Sequence, residues 1–174
     1  MSTQRTHDSS PFSEKKFPII LVAENLQSPA NIGSLFRLAD AFQIEKLILF
    51  GNNVDLSSNR LRRTARSTVN FVPHEITENL QQTIQHYVAQ NYKLYCLEIT
   101  DKSIPLETIE LAENEKIILV LGEENFGVNK EILDQANATV HINMFGKNSS
   151  MNVAQAGGIA LYEITKKLLA FQKK

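Results

Sequence analysis

The sequence predicts an α/β protein with a mostly parallel sheet and helices on both faces. Short apolar runs alternate with longer amphipathic segments, and no two runs are joined by a tight hairpin turn, which favours parallel strands. Several runs are apolar at consecutive positions, as is typical of strands covered on both faces. The predicted strands are 17–24, 46–50, 69–73, 92–99, 116–123 and 139–144.

Helix signals lie between the apolar runs. Ser28 followed by Pro29 is typical of an N-cap and a first helical position, and it predicts a helix that ends near Phe42. A second helix is predicted after its cap residue Thr77, with Leu80, Ile84 and Val88 on one face. A short helix is predicted over 128–136 and a long one over 150–171.

The chain divides into an arm and one domain. Residues 1–16 are polar and lack periodicity, so they are predicted to form a mobile N-terminal arm. Because no interior linker or repeat interrupts the remaining sequence, residues 17–174 are predicted to form a single domain.

Composition excludes several classes of protein. The 174 residues carry a net charge of −1, so bulk charge does not predict a general polyanion binder. Cys96 is the single cysteine, which excludes an internal disulfide, and the four histidines are far apart, so no metal site is predicted. The longest apolar stretch, residues 17–23, is far below a membrane span, and the N-terminus has no secretory h-region. A cytoplasmic protein without membrane contact is therefore expected.

Three loops after predicted strands have unusual composition, and ligands of open α/β sheets bind at the carboxyl ends of the strands. In the first loop, Asn31, Gly33 and Arg37 fall in the first turns of the predicted helix, where phosphate groups bind. A helix cap beside a surface arginine is the alternative interpretation.

The second loop, residues 119–133, places Gly122 and Gly127 on either side of an acidic turn. Its spacing does not match the phosphate-binding P-loop, and the adjacent Glu123 and Glu124 would repel phosphates. Such a turn could bind a neutral or cationic ligand through backbone groups. A plain strand-to-helix turn is the alternative interpretation.

The third loop, residues 142–158, gathers four polar residues at the start of the predicted last helix: Asn148, Ser149, Ser150 and Asn152. A ligand site and a simple helix cap are both consistent with this cluster. Gly157 and Gly158 should each cost about 1 kcal/mol within a helix, so they indicate either a close approach by a neighbouring segment or a local kink.

A basic cluster, residues 59–67, contains four arginines and no acidic residue: Arg60, Arg62, Arg63 and Arg66. Residues 75–124 contain ten acidic residues against three lysines, a net charge of −7, so charge is segregated along the chain. Because guanidinium groups pair bidentately with phosphate, the cluster is predicted to bind nucleic acid, a solvated surface being the alternative. If this segment is helical, Arg62 and Arg66 share one face, as do Arg63 and Arg66, whereas Arg60 lies elsewhere. Arg62→Ala and Arg66→Ala are therefore expected to weaken RNA binding most.

Taken in order, the three loops resemble the three motifs of the SpoU (TrmH-like) RNA ribose 2′-O-methyltransferases of the SPOUT superfamily. The resemblance covers about residues 18–169. The matching signature residues are Asn31 and Arg37 in the first motif, Gly122, Glu124 and Gly127 in the second, and Gly146, Ser150 and Asn152 in the third. The sequence departs from the family pattern at Glu123, Asn143, Met151 and Ala154.

The resemblance implies a C-terminal trefoil knot, a homodimer, and transfer of a methyl group from S-adenosylmethionine (SAM) to a ribose 2′-hydroxyl of RNA. The cofactor-binding residues that it implies are Leu121, Gly122, Ile142, Met144, Ser150, Met151 and Asn152. The catalytic residues that it implies are Arg37, Asn31, Glu124, Ser150 and Asn152.

By resemblance Arg37 is the central catalytic residue. To act as a base, its guanidinium would need a pKa lowered from above ~12 to about 7, so we expect it instead to anchor an RNA phosphate and stabilise the developing 2′-oxyanion. As substrate, tRNA is favoured over rRNA. The alternatives are an rRNA methyltransferase, a catalytically silent RNA-binding protein of the same fold, and a nucleotide-binding regulator.

Overall fold

The described residues form one seven-stranded sheet in which all of the strand pairings are parallel. The structure is a computed structural model that describes residues 15–51, 54–148 and 150–171. The strand order is β3-β2-β1-β6-β4-β7-β5. The strands are β1 (Phe17–Glu24), β2 (Ile44–Phe50), β3 (His74–Thr77), β4 (Tyr92–Leu97), β5 (Ile104–Pro105), β6 (Lys116–Leu121) and β7 (Ala138–His141).

Five α-helices in the described part of the chain cover both faces of the sheet, which confirms the predicted fold class. They are α1 (Pro29–Ala41), α2 (Asn59–Ala65), α3 (Leu80–Val88), α4 (Lys130–Leu133) and α5 (Val153–Ala170). Helices α1, α2 and α5 contribute to one core and α3 and α4 to the other. None of these helices is long and apolar enough to cross a membrane. Most of the predicted arm, residues 1–14, lies outside the described residues.

The consecutive apolar residues of β1 serve the two cores alternately. Ile19 and Leu21 pack into the core beneath α1 and α5, whereas Ile20 and Val22 pack into the core beneath α3. All four side chains are fully buried, and each contributes about 1.5–3 kcal/mol relative to an exposed position. The strand is therefore apolar on both faces because both faces are covered.

The predicted strand at 69–73 is wrong. A 3-10 turn occupies Thr68–Asn70, and the Phe71 side chain is 57% exposed. Pro73 has no N–H to donate to a sheet, but its carbonyl accepts the Leu47 N–H at 2.9 Å, so pairing with β2 starts there. The two-residue strand β5 was not predicted, since it is too short to produce a hydrophobic pattern.

Three predicted helix boundaries are also corrected. Thr77 ends β3, and Asn79 caps α3 by accepting the Gln82 N–H at 3.0 Å. Tyr87 is buried and Val88 is half exposed, because a period of 3.6 residues returns the seventh residue to the buried face. Helix α4 contains only Lys130–Leu133, and α5 begins at Val153 after the cap residue Asn152.

Gly33 allows α1 and α2 to pack backbone against backbone. A Cβ at this position would lie 2.6 Å from the Leu61 carbonyl oxygen and 2.9 Å from the Thr64 Cβ. The predicted close approach at Gly157 and Gly158 involves side chains instead. Leu121 contacts the first glycine and Leu38 the second, and α5 continues as a helix through both.

Candidate active site

A cleft of about 760 Å³ lies at the carboxyl edge of the sheet. The loops that follow β6, β4 and β7, three adjacent strands, form its walls. All seven residues predicted to bind a cofactor line it: Leu121, Gly122, Ile142, Met144, Ser150, Met151 and Asn152. Sequence reasoning therefore selected the residues of one cavity from two loops that are distant in the chain.

The loop after β4 forms a wall of the cleft that was not predicted. Glu98, Ile99 and Thr100 line the cleft together with Phe126 and Val128 of the β6–α4 loop. The apolar pattern of residues 92–99 concealed the end of the strand, which is at Leu97. An acidic residue directly after a buried apolar run was the signal that could have indicated Glu98.

A chain of hydrogen bonds joins one signature residue from each motif. The Asn152 amide donates to the Asn31 Oδ1 at 2.9 Å, and the Asn31 amide donates to the Glu124 Oε1 at 3.0 Å. The Glu124 carboxylate also accepts the backbone N–H groups of Gln27 at 3.2 Å and Ser28 at 3.4 Å. The three motifs therefore meet at the N-terminus of α1.

These hydrogen bonds set the ionisation of Glu124. Partial burial raises the pKa of this carboxyl, but the bonds from Asn31, Gln27 and Ser28 stabilise the carboxylate, and the net effect is a lowered pKa. The stabilisation by Glu124 is therefore present above its unfolded-state pKa of about 4.3 and is lost as the pH falls through the lower folded-state value. At neutral pH Glu124 is an acceptor and not a proton donor.

Two further carboxylates hold the β6–α4 loop in place. Glu98 accepts the Val128 N–H at 3.0 Å, and the buried Glu24 at the end of β1 accepts the Asn129 N–H at 3.0 Å. Burial raises the pKa of Glu24, the bond from Asn129 opposes this rise, and the charge of Glu123 adds to it. The loop is consequently fixed from β1, from β4 and, through Glu124, from α1.

The cleft is acidic. Three glutamates line it (Glu98, Glu123 and Glu124), and no lysine or arginine of the described residues does. A cavity with this charge disfavours phosphate-bearing cofactors and favours a cation. The apolar side chains of Leu121, Ile142 and Met151 offer surface for a planar ring. The residues present therefore fit a ligand such as SAM, which combines a sulfonium cation with an adenine ring.

The described residues offer neither a cluster of metal-ligating side chains nor an ionised thiol. No group of three histidine, cysteine or acidic side chains could hold a metal ion there. Cys96 is buried, and burial raises the pKa of its thiol to about 12, so it carries no thiolate at neutral pH.

Arg37 lies apart from the cleft of its own chain. It is exposed on α1 and does not line the cleft, and its side chain makes no hydrogen bond or salt bridge with any residue that the structure describes. Ser150, by contrast, lines the cleft beside Asn152. The catalytic role of Arg37 stays a prediction.

All four arginines of the basic cluster are exposed. Arg60, Arg62 and Arg63 belong to α2, and the Arg62 Nε donates to the Leu56 carbonyl at 3.3 Å. Arg66 follows the helix with φ 57° and ψ −130°, so the expectation that it shares a helical face with Arg62 is wrong. Nucleic-acid binding by this cluster stays a prediction.

The parallel sheet, its strand order and the cleft between the loops of three adjacent strands define an α/β protein of the SPOUT type. The family model described as the SpoU rRNA Methylase family matches residues 18–162. The chain belongs to this family. Membership implies the trefoil knot in its C-terminal part.

Curated relatives and solved structures are similar over most of the chain. An uncharacterized tRNA/rRNA methyltransferase of Borreliella burgdorferi is 27% identical over 90% of this chain and 68% of its own length. The 23S rRNA (guanosine(2553)-2′-O)-methyltransferase RlmP of Bacillus subtilis is 25% identical over 83% of this chain. The chain spans only 57% of the length of this second relative.

Two solved structures superpose on the fold. An AdoMet-bound rRNA methyltransferase from Sinorhizobium meliloti gives a TM-score of 0.79 at 26% identity and covers 86% of this chain and 56% of its own. The A. aeolicus TrmH/SpoU tRNA modifying enzyme gives a TM-score of 0.80 at 22% identity over 89% and 77% of the two chains. The second likeness shows the fold alone.

Proposed function

We propose that this protein is a SAM-dependent methyltransferase that acts on a ribose 2′-hydroxyl of RNA. The observation that carries the proposal is the hydrogen-bonded series Asn152–Asn31–Glu124 at an acidic cleft, in a chain of the SpoU family. The S. meliloti neighbour, which is described as AdoMet-bound, supports the choice of cofactor. The B. subtilis relative, named as a 2′-O-methyltransferase, supports the reaction.

Different residues of the chain would bind the cofactor, hold the N-terminus of α1 and orient the reacting groups. Backbone groups at Leu121, Gly122, Ile142, Met144 and Met151 would hold the cofactor, which supplies an electrophilic methyl group when it is bound. Glu124 and Asn31 fix the N-terminus of α1 against the cleft. Asn152, which donates to Asn31, and Ser150 both line the cleft, where they can orient the ribose or the cofactor.

A catalytically silent RNA-binding protein is the alternative function, and calorimetric titration with SAM separates the two. We expect saturable binding with one SAM per chain, and incorporation of labelled methyl groups into unmodified RNA. Absence of SAM binding by the folded protein would favour the silent binder. Mapping 2′-O-methylated positions in RNA from a deletion strain then decides between tRNA, which we favour, and rRNA.

The basic cluster is proposed to hold RNA phosphates, and the slope of log affinity against log salt tests it. Arg60 and Arg63 are suitable targets because they are exposed and their side chains bond no residue in the described ranges. Each lost phosphate contact should flatten the slope by about 0.7–0.9, so the Arg60→Ala/Arg63→Ala variant should lose about 1.4–1.8. SAM affinity should not change.

Lys116→Ala is the matched control for this measurement. Lys116 begins β6, at the edge of the sheet opposite the cleft, and its removal also deletes one positive charge. Its salt slope should equal that of the wild type. An unaltered slope in the arginine double variant would show that the cluster is only a solvated surface.

We propose a homodimer that forms through the outer face of α5. Ile159, Tyr162 and Leu169 are all exposed there, Tyr162 by 62%, and their spacing places them on one side of the helix. Helix α5 packs on α1, the helix that carries Arg37. We propose further that the second copy receives Arg37 at its own cleft, since this residue does not line the cleft of its own chain.

Tyr162→Glu should dissociate the dimer, because it introduces a charge at the centre of the apolar face. We expect wild-type protein to sediment as a dimer at micromolar concentration, and the variant to sediment as a folded monomer with at least tenfold lower methyl transfer. Val88→Glu changes an exposed apolar residue on α3, on the other face of the sheet, and should stay dimeric. A fully active wild-type monomer would contradict the proposal.

A further inference from the structure

Two phenylalanines are exposed on the loops that form the cleft. The Phe126 side chain lines the cleft and is nevertheless 85% exposed. The Phe145 side chain is 97% exposed and follows Met144, which lines the cleft from the β7–α5 loop. Single exposed apolar side chains are common, but two that are this exposed on the loops of one cavity are candidates for contact with a partner.

The chemistry of the proposed reaction places a nucleobase at this position. The base is attached to the ribose carbon next to the one that carries the reacting 2′-hydroxyl. A ribose whose 2′-oxygen reaches into the cleft therefore brings its own base, and those of adjoining nucleotides, close to the loops that form the cleft. The aromatic faces of Phe126 and Phe145 are available there for stacking.

The surroundings of Phe145 favour RNA over another protein surface. Lys147, two residues further on, is exposed and bonds to none of the described residues, so it is free to pair with a phosphate. Apart from the chain neighbours of Gly146, no atom of the described residues lies within 4 Å of the position that a Cβ would take there, so the space beside this glycine is open. The proposed dimer uses a different exposed apolar surface, the outer face of α5, so Phe145 is not needed for contact with a second copy.

We propose that Phe126 and Phe145 form a stacking platform for unpaired nucleobases next to the methylated ribose. This inference rests on the proposed function and adds a substrate class to it: the target nucleotide lies in a single-stranded loop or end of the RNA. In a double helix each base is already stacked and paired, and its face is closed to a side chain.

Substitution by leucine tests the platform, because leucine keeps the apolar contact and removes the aromatic face. The probe is an oligoadenylate about ten nucleotides long, and its affinity is measured at several salt concentrations. Phe126→Leu and Phe145→Leu should each weaken binding about 5- to 100-fold. The salt slope should stay unchanged, in contrast to the arginine variants. Phe145→Trp, which restores an aromatic face, should bind as tightly as the wild type.

Four outcomes would overturn the platform. The first is wild-type affinity for oligoadenylate in both leucine variants, and the second is no oligoadenylate binding by the wild type. The third is dissociation of the dimer by Phe145→Ser in sedimentation, which would assign this side chain to the second copy. Equal loss of affinity for an RNA duplex would also contradict the choice of unpaired bases.

The proposed function fails by different measurements. SAM titration and methyl incorporation by the wild-type protein test the methyltransferase without reference to either phenylalanine. If the wild type and Phe145→Leu transfer methyl groups with the same KM for RNA, the proposed methyltransferase function is supported and the proposed platform is wrong. If the wild type transfers no methyl group, the function itself is wrong, whatever the oligoadenylate affinities are.

Discussion

Arg37→Ala should lower methyl transfer by about 10²–10³-fold or more, because the transition state loses the cation that stabilises the developing 2′-oxyanion. The SAM dissociation constant should stay within about twofold of the wild type, since Arg37 does not line the cleft of its own chain. Arg37→Lys should also be severely impaired, because an ammonium lacks the planar fork of guanidinium. Single-turnover methyl transfer at saturating RNA, with calorimetry of SAM, measures both effects.

Arg60→Ala is the matched control, because it removes the same charge from a position assigned only to RNA binding. It should raise the KM for RNA and leave kcat nearly unchanged. Full turnover by Arg37→Ala would remove this residue from the mechanism.

Subunit mixing tests whether Arg37 serves the partner. When Arg37→Ala is mixed with Asn152→Ala, a mixed dimer has one cleft with all of its residues and one intact Arg37 in the opposite subunit. About a quarter of wild-type activity should return if the arginine acts across a twofold interface. No recovery after subunit exchange would place Arg37 at its own cleft.

Gly122→Ala should abolish SAM binding, with at least a 100-fold loss of affinity, or about 2.7 kcal/mol. The added Cβ would lie 2.1 Å from the Gly127 carbonyl carbon and 2.2 Å from the Val128 nitrogen. Both atoms are backbone, so the whole β6–α4 loop must move. The free energy of unfolding should also fall by about 1–3 kcal/mol, the usual cost of overpacking.

Gly146→Ala provides the control for this variant. Gly146 is also a signature glycine, in the loop after β7, but apart from its chain neighbours no described atom lies within 4 Å of the added Cβ, so this variant separates crowding from membership of a motif. Its SAM affinity and its stability in urea should match those of the wild type. A Gly122→Ala protein with undiminished SAM affinity would show that the tight turn does not shape the cofactor site.

Much of the cleft could be predicted because parallel strands bring their carboxyl ends to one edge. The loops at 119–133 and 142–158, at the ends of two separate apolar runs, were therefore expected at the same edge of the sheet, and both line the cleft. The resemblance to the SpoU motifs then selected Ser150 and Asn152 from a polar cluster that helix capping alone also explains. Asn152 in fact does both: it caps α5 and bonds Asn31.

Other features depend on tertiary contacts that leave little trace in sequence. The Asn31–Glu124 bond joins residues 93 positions apart, and no local pattern specifies which oxygen an amide reaches. The apolar pattern of residues 92–99 predicted one strand that included Glu98, so this residue was not expected in a loop at the cleft. Arg66 adopts a positive φ without being glycine or asparagine, so the end of α2 had no residue-type signal.

The contact at Gly33 joins two parts of the proposed RNA-binding surface. Helix α2, with Arg60 and Arg63, packs closely on α1, with Asn31 and Arg37, because glycine leaves no Cβ between the two backbones. The two helices are therefore expected to move as one rigid unit, which fixes the distance between the residues they carry. If phosphates dock on α2, the reacting nucleotide lies a set length of RNA away, and the enzyme can choose it by measuring along the strand as well as by reading a base.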